Sequence, residues 1–389
     1  MNRRTFIKVA AASALALMTG CGVDNKRLDV RHLRQIVTKD ISRSRCIMWQ
    51  TDEPLTNPAV ELDNGKIFPA QDSTFTDDGK QIIQYTAQIA GGDKFRVVDG
   101  EAMTDWHELK TPSDKCKAII FPDSQCGGDY DTWGAVARGA FERNPDANFF
   151  VNVGDLVDNG EDSAQWEDWL AQIESYLPQV AFAPVMGNHE TYSRAWKVRQ
   201  PVAYLNYFAP PDNGFERYSR RFYSFEVGAA HVAVLDSQWD ELGKEIINVQ
   251  KDWLREDMQT DKPWKVVFIH KDVLQYRING RPERLEGLSE VGELFMPEFE
   301  SLGVDVVFTA HLHTYRNRGQ INGTLYILTG LSGNVRYDGL WIDHALDKFV
   351  APQPETDNYL TLEADDKTLS VKCFLPNGEL LDETTLNKA

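Results

Sequence analysis

Between residues 31 and 111 apolar and polar positions alternate in short runs broken by turn-forming residues. Residues 45–50, 81–89 and 94–98 read as strands, with Asp63-Asn64-Gly65 and Gly91-Gly92-Asp93 as turn chemistry between them. This half-buried pattern predicts a small all-β sandwich over residues 30–112. The period changes after Pro112. Residues 117–121 form a short apolar run, followed by Trp133, Val136, Ala137 and Phe141 at helical spacing. Residues 148–153 are the next strand. Trp166, Trp169, Leu170, Ile173 and Leu177 then fall on one face of a helix starting near Ser163, and 180–185 is again a strand. Such β-α-β-α-β alternation predicts a layered α/β domain with largely parallel strands, spanning 116–389. Further strands fall at 222–227, 231–235, 266–269 and 304–309, and the remainder after His313 reads as strands and loops.

The first 21 residues break with both patterns. Asn2-Arg3-Arg4-Thr5-Phe6-Ile7-Lys8 resembles a twin-arginine export motif, and the apolar run over 9–18 is too short to span a bilayer as a mature helix. It ends in Met18-Thr19-Gly20-Cys21, the form of a lipoprotein box. The expectation is an exported protein of the cell envelope, held to the membrane by a lipid on Cys21; the plainer alternative is a cleaved signal. Asp and Glu outnumber Lys and Arg by 59 to 41, a net charge of -18, which repels a phosphate backbone and argues against nucleic-acid binding. A small anionic substrate then needs local positive charge, and metal ions are its obvious source. Cys46, Cys116, Cys126 and Cys373 show no zinc-finger spacing, while Cys116 and Cys373 each sit in an expected strand and form a possible disulfide.

Residues able to bind metal recur where the strands run out, the position at which open α/β sheets hold ligands. Asp123-Ser124-Gln125 follows the first strand of the α/β part. Gly154-Asp155-Leu156-Val157-Asp158 follows the second, and Gly187-Asn188-His189-Glu190 the third. His270 ends a later strand, and His311-Leu312-His313 the last. Each alone has a plain reading: a strand-end His is commonly a hydrogen-bonded structural residue, and an Asp after Gly a turn or cap. Five in succession, all at strand-to-loop junctions, point to one metal site.

The order and content of these elements resemble the calcineurin-like metallophosphoesterases over roughly 119–315, and the β module in front makes the chain similar to the branch containing the purple acid phosphatases. The module itself suits a fibronectin type III character. The resemblance implies a four-layer α/β/β/α sandwich with two metal ions (iron, manganese or zinc). Asp123, Asp155 and His313 would hold one ion; Asn188, His270 and His311 would hold the other; Asp155 would bridge. It further implies hydrolysis of a small phosphorylated substrate, a phosphate monoester, by hydroxide between the metals, with His189 as general acid and Asp158 fixing its tautomer. Glu190 would stand behind the ligands, orienting either the loops or a metal-bound His.

Two positions depart from the family pattern. Gln125 stands where most of the superfamily has His, making it a weaker ligand to the first ion. Asp158 stands where the purple enzymes have the Tyr that colours them, so no tyrosinate band is expected; Gly154-Asp155-x-x-Asp158-x-Gly160 instead matches the serine/threonine phosphatase branch. Alternatives are a phosphodiesterase of the same fold, or a non-catalytic surface lipoprotein whose β module binds a partner. His231 reads as a core histidine, and His32, His107 and His344 have no assigned role. Asn159, Tyr192, Arg194, Tyr276, Tyr315 and Arg316 are candidates to face substrate from the rim, with plain surface or packing roles as the alternative for each.

Overall fold

The computed structural model describes residues 26–112 and 114–388, so the export signal and Cys21 lie outside the described residues. Two sheets stack face to face. The first has ten strands, and its centre is the parallel set Cys116–Phe121, Phe149–Asn152 and Ala181–Pro184. The second has seven, with Ala230–Leu235, Trp264–Ile269, Val306–Thr309 and Thr324–Thr329 parallel at its centre. Their inner faces bury Val151, Ala183, Val232, Phe268 and Phe308 in one apolar layer.

Helices close both outer faces, giving the expected four-layer α/β/β/α architecture. Asp131–Arg143 and Ser163–Gln172 cover the first sheet, where Trp133 stacks on Trp169 at 5.2 Å and Phe150 on Phe182 at 4.5 Å. Ile246–Asp257 and Glu290–Leu302 cover the second sheet through Leu254, Phe295 and Phe299. Caps set where the helices begin: Asp162 accepts the Ala164 N–H at 3.0 Å, and Ser289 the Gly292 N–H at 3.1 Å. The expected face Trp166–Leu177 is only partly helical. The helix stops at Gln172, and Ile173 and Leu177 are buried from the turns that follow.

The N-terminal β-rich part grows out of the first sheet. Arg31–Ile36 runs parallel beside Ala181–Pro184, with Ile36 opposite Phe182, and Ser44–Gln50 and Gln84–Ala90 continue the ladder. One face of these strands sends Ile36, Cys46 and Met48 under the helices. The other presents Leu33, Ile47, Trp49 and Ala87 to a smaller sheet built on Pro58–Leu62 and Lys94–Asp99, which supplies Val60, Leu62, Phe95 and Val97. The sandwich therefore shares one of its sheets with the α/β layers.

The possible Cys116–Cys373 disulfide does not form; Cys46, Cys116, Cys126 and Cys373 are all free and buried. Register explains it. Cys116 lies opposite Ala364 and Cys373 opposite Leu360, so a whole strand and four positions along it separate the two thiols.

Candidate metal centre

The six principal ligand candidates converge beyond the C-terminal ends of the central strands of both sheets. Their ligand atoms form two sets, Asp123–Asp155–His313 and Asp155–His270–His311, each with all atoms within 4.8 Å of one another, and Asp155 belongs to both. Asn188 joins the second set, its Oδ1 lying 3.2 Å from His270 Nε2. Two of the loops turn sharply to achieve this: Asp155 on one, and His311 and His313 on the other, have φ of 52°, 76° and 52°, a left-handed conformation that is unfavourable for residues with a Cβ and clusters at functional sites.

Two glycines make the approach possible. A Cβ on Gly154 (φ 96°) would sit 2.4 Å from His270 Nδ1, and one on Gly187 would sit 2.1 Å from Asp155 Oδ1. The Gly-Asp and Gly-Asn-His pairs of the sequence are thus steric requirements of one another.

Backbone carbonyls fix the rings. His270 Nδ1 meets Val153 O at 2.8 Å, and His313 Nδ1 meets Val335 O at 2.6 Å. Each ring donates N–H there, which turns Nε2 inward: His270 Nε2 lies 3.1 Å from Asp155 Oδ2, and His313 Nε2 lies 3.4 Å from Asp123 Oδ1. Lone pairs then face carboxylate oxygens, and the cluster demands a cation between them. In the protein alone a proton plays that part. Burial opposes charge on His270, but Asp155 outweighs it and pushes the ring up to about 9. Asp123 likewise raises His313 against the burial that opposes it. Burial and the neighbouring His270 push His311 down to about 3, so that ring stays neutral. Asp155 is held well below the carboxylate range: His270 and His189 overcome its burial.

Protons do not satisfy the whole cluster. His311 Nδ1 and Gln125 Oε1 are buried without a hydrogen-bond partner, and Asp155 Oδ2 has none of good geometry despite the nearby His270 ring. Orphaned imidazole, amide and carboxylate atoms converging on two points are the donor set expected for two borderline metal ions, and the residues fit such a pair. Gln125 borders the first set, its Nε2 lying 3.3 Å from His313 Nε2 with Oε1 free, so a half-turn of the amide presents oxygen to that position.

Around the ligands, Glu190 is a bracket. Fully buried, it accepts N–H groups from Asp155 (3.0 Å), Leu156 (2.8 Å) and Gly187 (2.7 Å), tying two ligand loops together. His189 points Nε2 toward Asp155 Oδ2 at 3.9 Å, while its main-chain N–H donates to Asp155 Oδ1 at 2.9 Å. Its Nδ1 meets the main-chain carbonyl of Asp158 at 2.8 Å. The expected partner was the Asp158 carboxylate; that group instead accepts the Gly127 N–H and so ties the Gln125 loop to the Asp155 loop. Burial raises the Asp158 carboxyl above its usual value.

Of the expected rim residues, Tyr192 reaches the site, its hydroxyl 3.4 Å from Asn188 Nδ2. Tyr276, Tyr315 and Arg316 do not. They are buried, with Arg316 on Asp343 and Asp347, Tyr276 on Asp347 and Tyr315 on Asp382; Tyr315 and Arg316 are successive residues of a strand of the second sheet and face opposite sides of it. Arg194 pairs with Asp78 and Asp162, and Asn159 donates to Ser193 O. His231 is a core histidine on Asp257, as expected. His32, given no role, is buried between Glu167 and Glu174 and docks the first strand on the helix end. Sequence reasoning missed Trp196, 5.7 Å from the His189 ring, and Tyr337, 4.7 Å from the His313 ring. Both lie in irregular loops, where no periodicity marks them.

Comparison with known proteins agrees with this geometry. The profile of the family described as Calcineurin-like phosphoesterase matches residues 102–315, more than half of the chain. Purple acid phosphatase 15 of Arabidopsis thaliana is 28% identical over 206 residues, covering 49% of this chain and 36% of that protein. Fe(3+)-Zn(2+) purple acid phosphatase 12 of the same plant is 25% identical over 217 residues, covering 53% and 44%. The chain thus spans less than half the length of these relatives. Among solved structures, purple acid phosphatase PPD1 of yellow lupin (Lupinus luteus) superposes with a TM-score of 0.74 at 16% identity, covering 92% of this chain and 74% of its own.

Proposed function

Because the chain belongs to the calcineurin-like phosphoesterase family, we propose that it is a two-metal hydrolase of phosphate monoesters. The observation that carries this reading is the pair of buried ligand sets sharing Asp155. Asp123, His313 and the amide of Gln125 would hold one ion, Asn188, His270 and His311 the other, with Asp155 common to both; iron, manganese and zinc all suit these donors. When bound, such a pair neutralises phosphate oxygens and lowers the pKa of water to near neutrality.

The chain's own residues do the rest. Carbonyls of Val153 and Val335 hold two imidazoles with Nε2 inward, so the donors are oriented before any ion arrives. Glu190 fixes the backbone of both loops that meet at Asp155. His189 keeps a proton on Nδ1 through the Asp158 carbonyl, which leaves Nε2, 3.9 Å from Asp155 Oδ2, as the nitrogen that can carry a transferable proton. The ring can then hold a phosphoryl oxygen and hand the Nε2 proton to the departing alkoxide. Asp158 occupies the place of the coloured enzymes' Tyr, so an iron-loaded form would show no tyrosinate charge-transfer band. From residues 1–21 we further propose export and a lipid on Cys21, which mass spectrometry of the native protein would detect.

The test is metal content together with turnover of an aryl phosphate and its diester. Wild type should carry two ions per chain and favour the monoester. Asn188→Ala should lose metal, whereas His189→Ala should keep metal and slow by about 10²–10⁴-fold. One ion or none, with no turnover on added manganese, zinc or iron, would sink the proposal.

A further inference from the structure

The hairpin that follows His189 is built to a tighter specification than packing requires. It closes through a Tyr192–Val198 bridge, with Ser193 N–H on Lys197 O and Trp196 N–H on Ser193 O, both 2.8 Å. Side chains clamp it from outside: Arg199 on Asp77, Arg194 on Asp78 and Asp162, and Asn159 Nδ2 on Ser193 O at 3.0 Å. At its tip Trp196 takes φ 57°, a conformation that bulky side chains rarely adopt. What this arrangement secures is not burial, since Trp196 is 58% exposed. It secures position: the indole stands edge-on to the His189 ring at 5.7 Å and 88°, with Tyr192 beside both rings at 5.4 and 6.1 Å. Tyr337, also exposed, lies over His313 at 4.7 Å and places a second ring against the other ligand set.

We propose that Trp196 is a substrate-contacting residue, forming the wall against which the leaving group lies, and that the site selects phosphomonoesters whose leaving group is a planar aromatic. The inference rests on the reading of His189 as the group facing the leaving oxygen. If His189 delivers a proton there, whatever is bonded to that oxygen occupies the space next to His189, and the exposed surface bordering that space is the indole. A flat ring can stack or pack edge-on there, replacing water on both surfaces. A small alkyl group covers little of it. Strain at a clamped, exposed tryptophan beside the proposed acid is intelligible as pre-positioning for such a contact.

The test compares Trp196→Ala and Trp196→Phe with the metal-loaded wild type on phenyl phosphate and glycerol 2-phosphate, together with binding of phenylphosphonate and methylphosphonate. Trp196→Ala should raise KM for phenyl phosphate and Kd for phenylphosphonate about tenfold, the size of one aromatic contact, with kcat little changed. Values for the two alkyl compounds should stay within about twofold, and Trp196→Phe should fall between. Equal shifts for aryl and alkyl compounds, no shift for either, or no phosphonate binding by wild type overturns the proposal. The binding arm separates the two readings: Trp196-dependent capture of phenylphosphonate by a protein that hydrolyses nothing would keep this inference and remove the phosphatase.

Discussion

Gly187→Ala puts the shared ligand under direct steric pressure. The new Cβ would lie 2.1 Å from Asp155 Oδ1, 2.3 Å from Asp155 N and 2.8 Å from Asp155 Cγ. Ordinary contact needs about 3.5 Å, so Asp155 or the Gly187 backbone must move by roughly 1 Å. Neither has slack: Asp155 sits at φ 52°, its N–H and that of Gly187 both donate to Glu190, and its Oδ1 accepts the His189 N–H. Overpacking of this kind costs about 1–3 kcal/mol. Ligand distances tolerate only about 0.2 Å, so both metal sets should fail together. The assay is metal per chain by elemental analysis, beside a thermal melt. Gly128→Ala is the control, since its Cβ would meet nothing within 4 Å. The variant should lose both ions and nearly all turnover with a melting temperature lowered by only a few degrees, while the control matches wild type. Two ions at wild-type affinity in Gly187→Ala would refute the steric argument and with it the shared role of Asp155.

Glu190→Gln must turn an amide N–H toward either Leu156 N–H or the Asp155 and Gly187 pair; it should cost about 1–3 kcal/mol and weaken metal retention, measured by denaturant melts with and without chelator. The chelated protein should depend on pH in a definite sense. His270 is raised to about 9 when folded, so its contribution is complete below its ordinary 6.5 and vanishes as pH climbs through 9; Asp155 is depressed, so its contribution is present above about 4 and lost in acid. Stability that falls as pH climbs from about 6.5 to 9 is expected in melts with chelator, and a flat profile over that range would contradict it. Deleting 26–112 uncovers the edge of Ala181–Pro184 and strips Ile36, Cys46 and Met48 from the core under the helices, so the remainder should be insoluble; a soluble, metal-loaded fragment would show the shared sheet to be dispensable.

What was legible in the sequence was whatever is local. Strand-end clusters such as Gly187-Asn188-His189 carry their candidate ligand, their turn glycine and their strand within one short stretch, so Asp123, Asp155, Asn188, His270, His311 and His313 stand out as candidates, and they meet in space. Non-local facts were hidden. The partnership of Ile36 with Phe182 depends on registry across a long separation, and nothing in 31–36 announces it. The Cys116–Cys373 expectation failed for the same reason: both strands were right, but their offset is a property of the sheet. Finer geometry was hidden too. That Asp158 serves His189 through its carbonyl rather than its carboxylate is a matter of one side-chain rotation. Trp196 and Tyr337 gave no signal, because an exposed aromatic in a loop belongs to no periodic face.

The order of strands in the first sheet also dictates a schedule for biosynthesis. Cys116–Phe121, which delivers Asp123, is flanked by Phe149–Asn152 on one side and by Tyr359–Ala364 on the other. A nascent chain therefore carries Asp123 and Asp155 well before His270, His311 and His313, and Tyr359–Ala364 follows all of them. Until residue 311 is made neither ligand set has all its members, and until residue 359 the edge of Cys116–Phe121 is open. A chain halted before residue 311 therefore cannot assemble either ligand set, and one halted before residue 359 leaves an unpaired strand edge of the kind that aggregates.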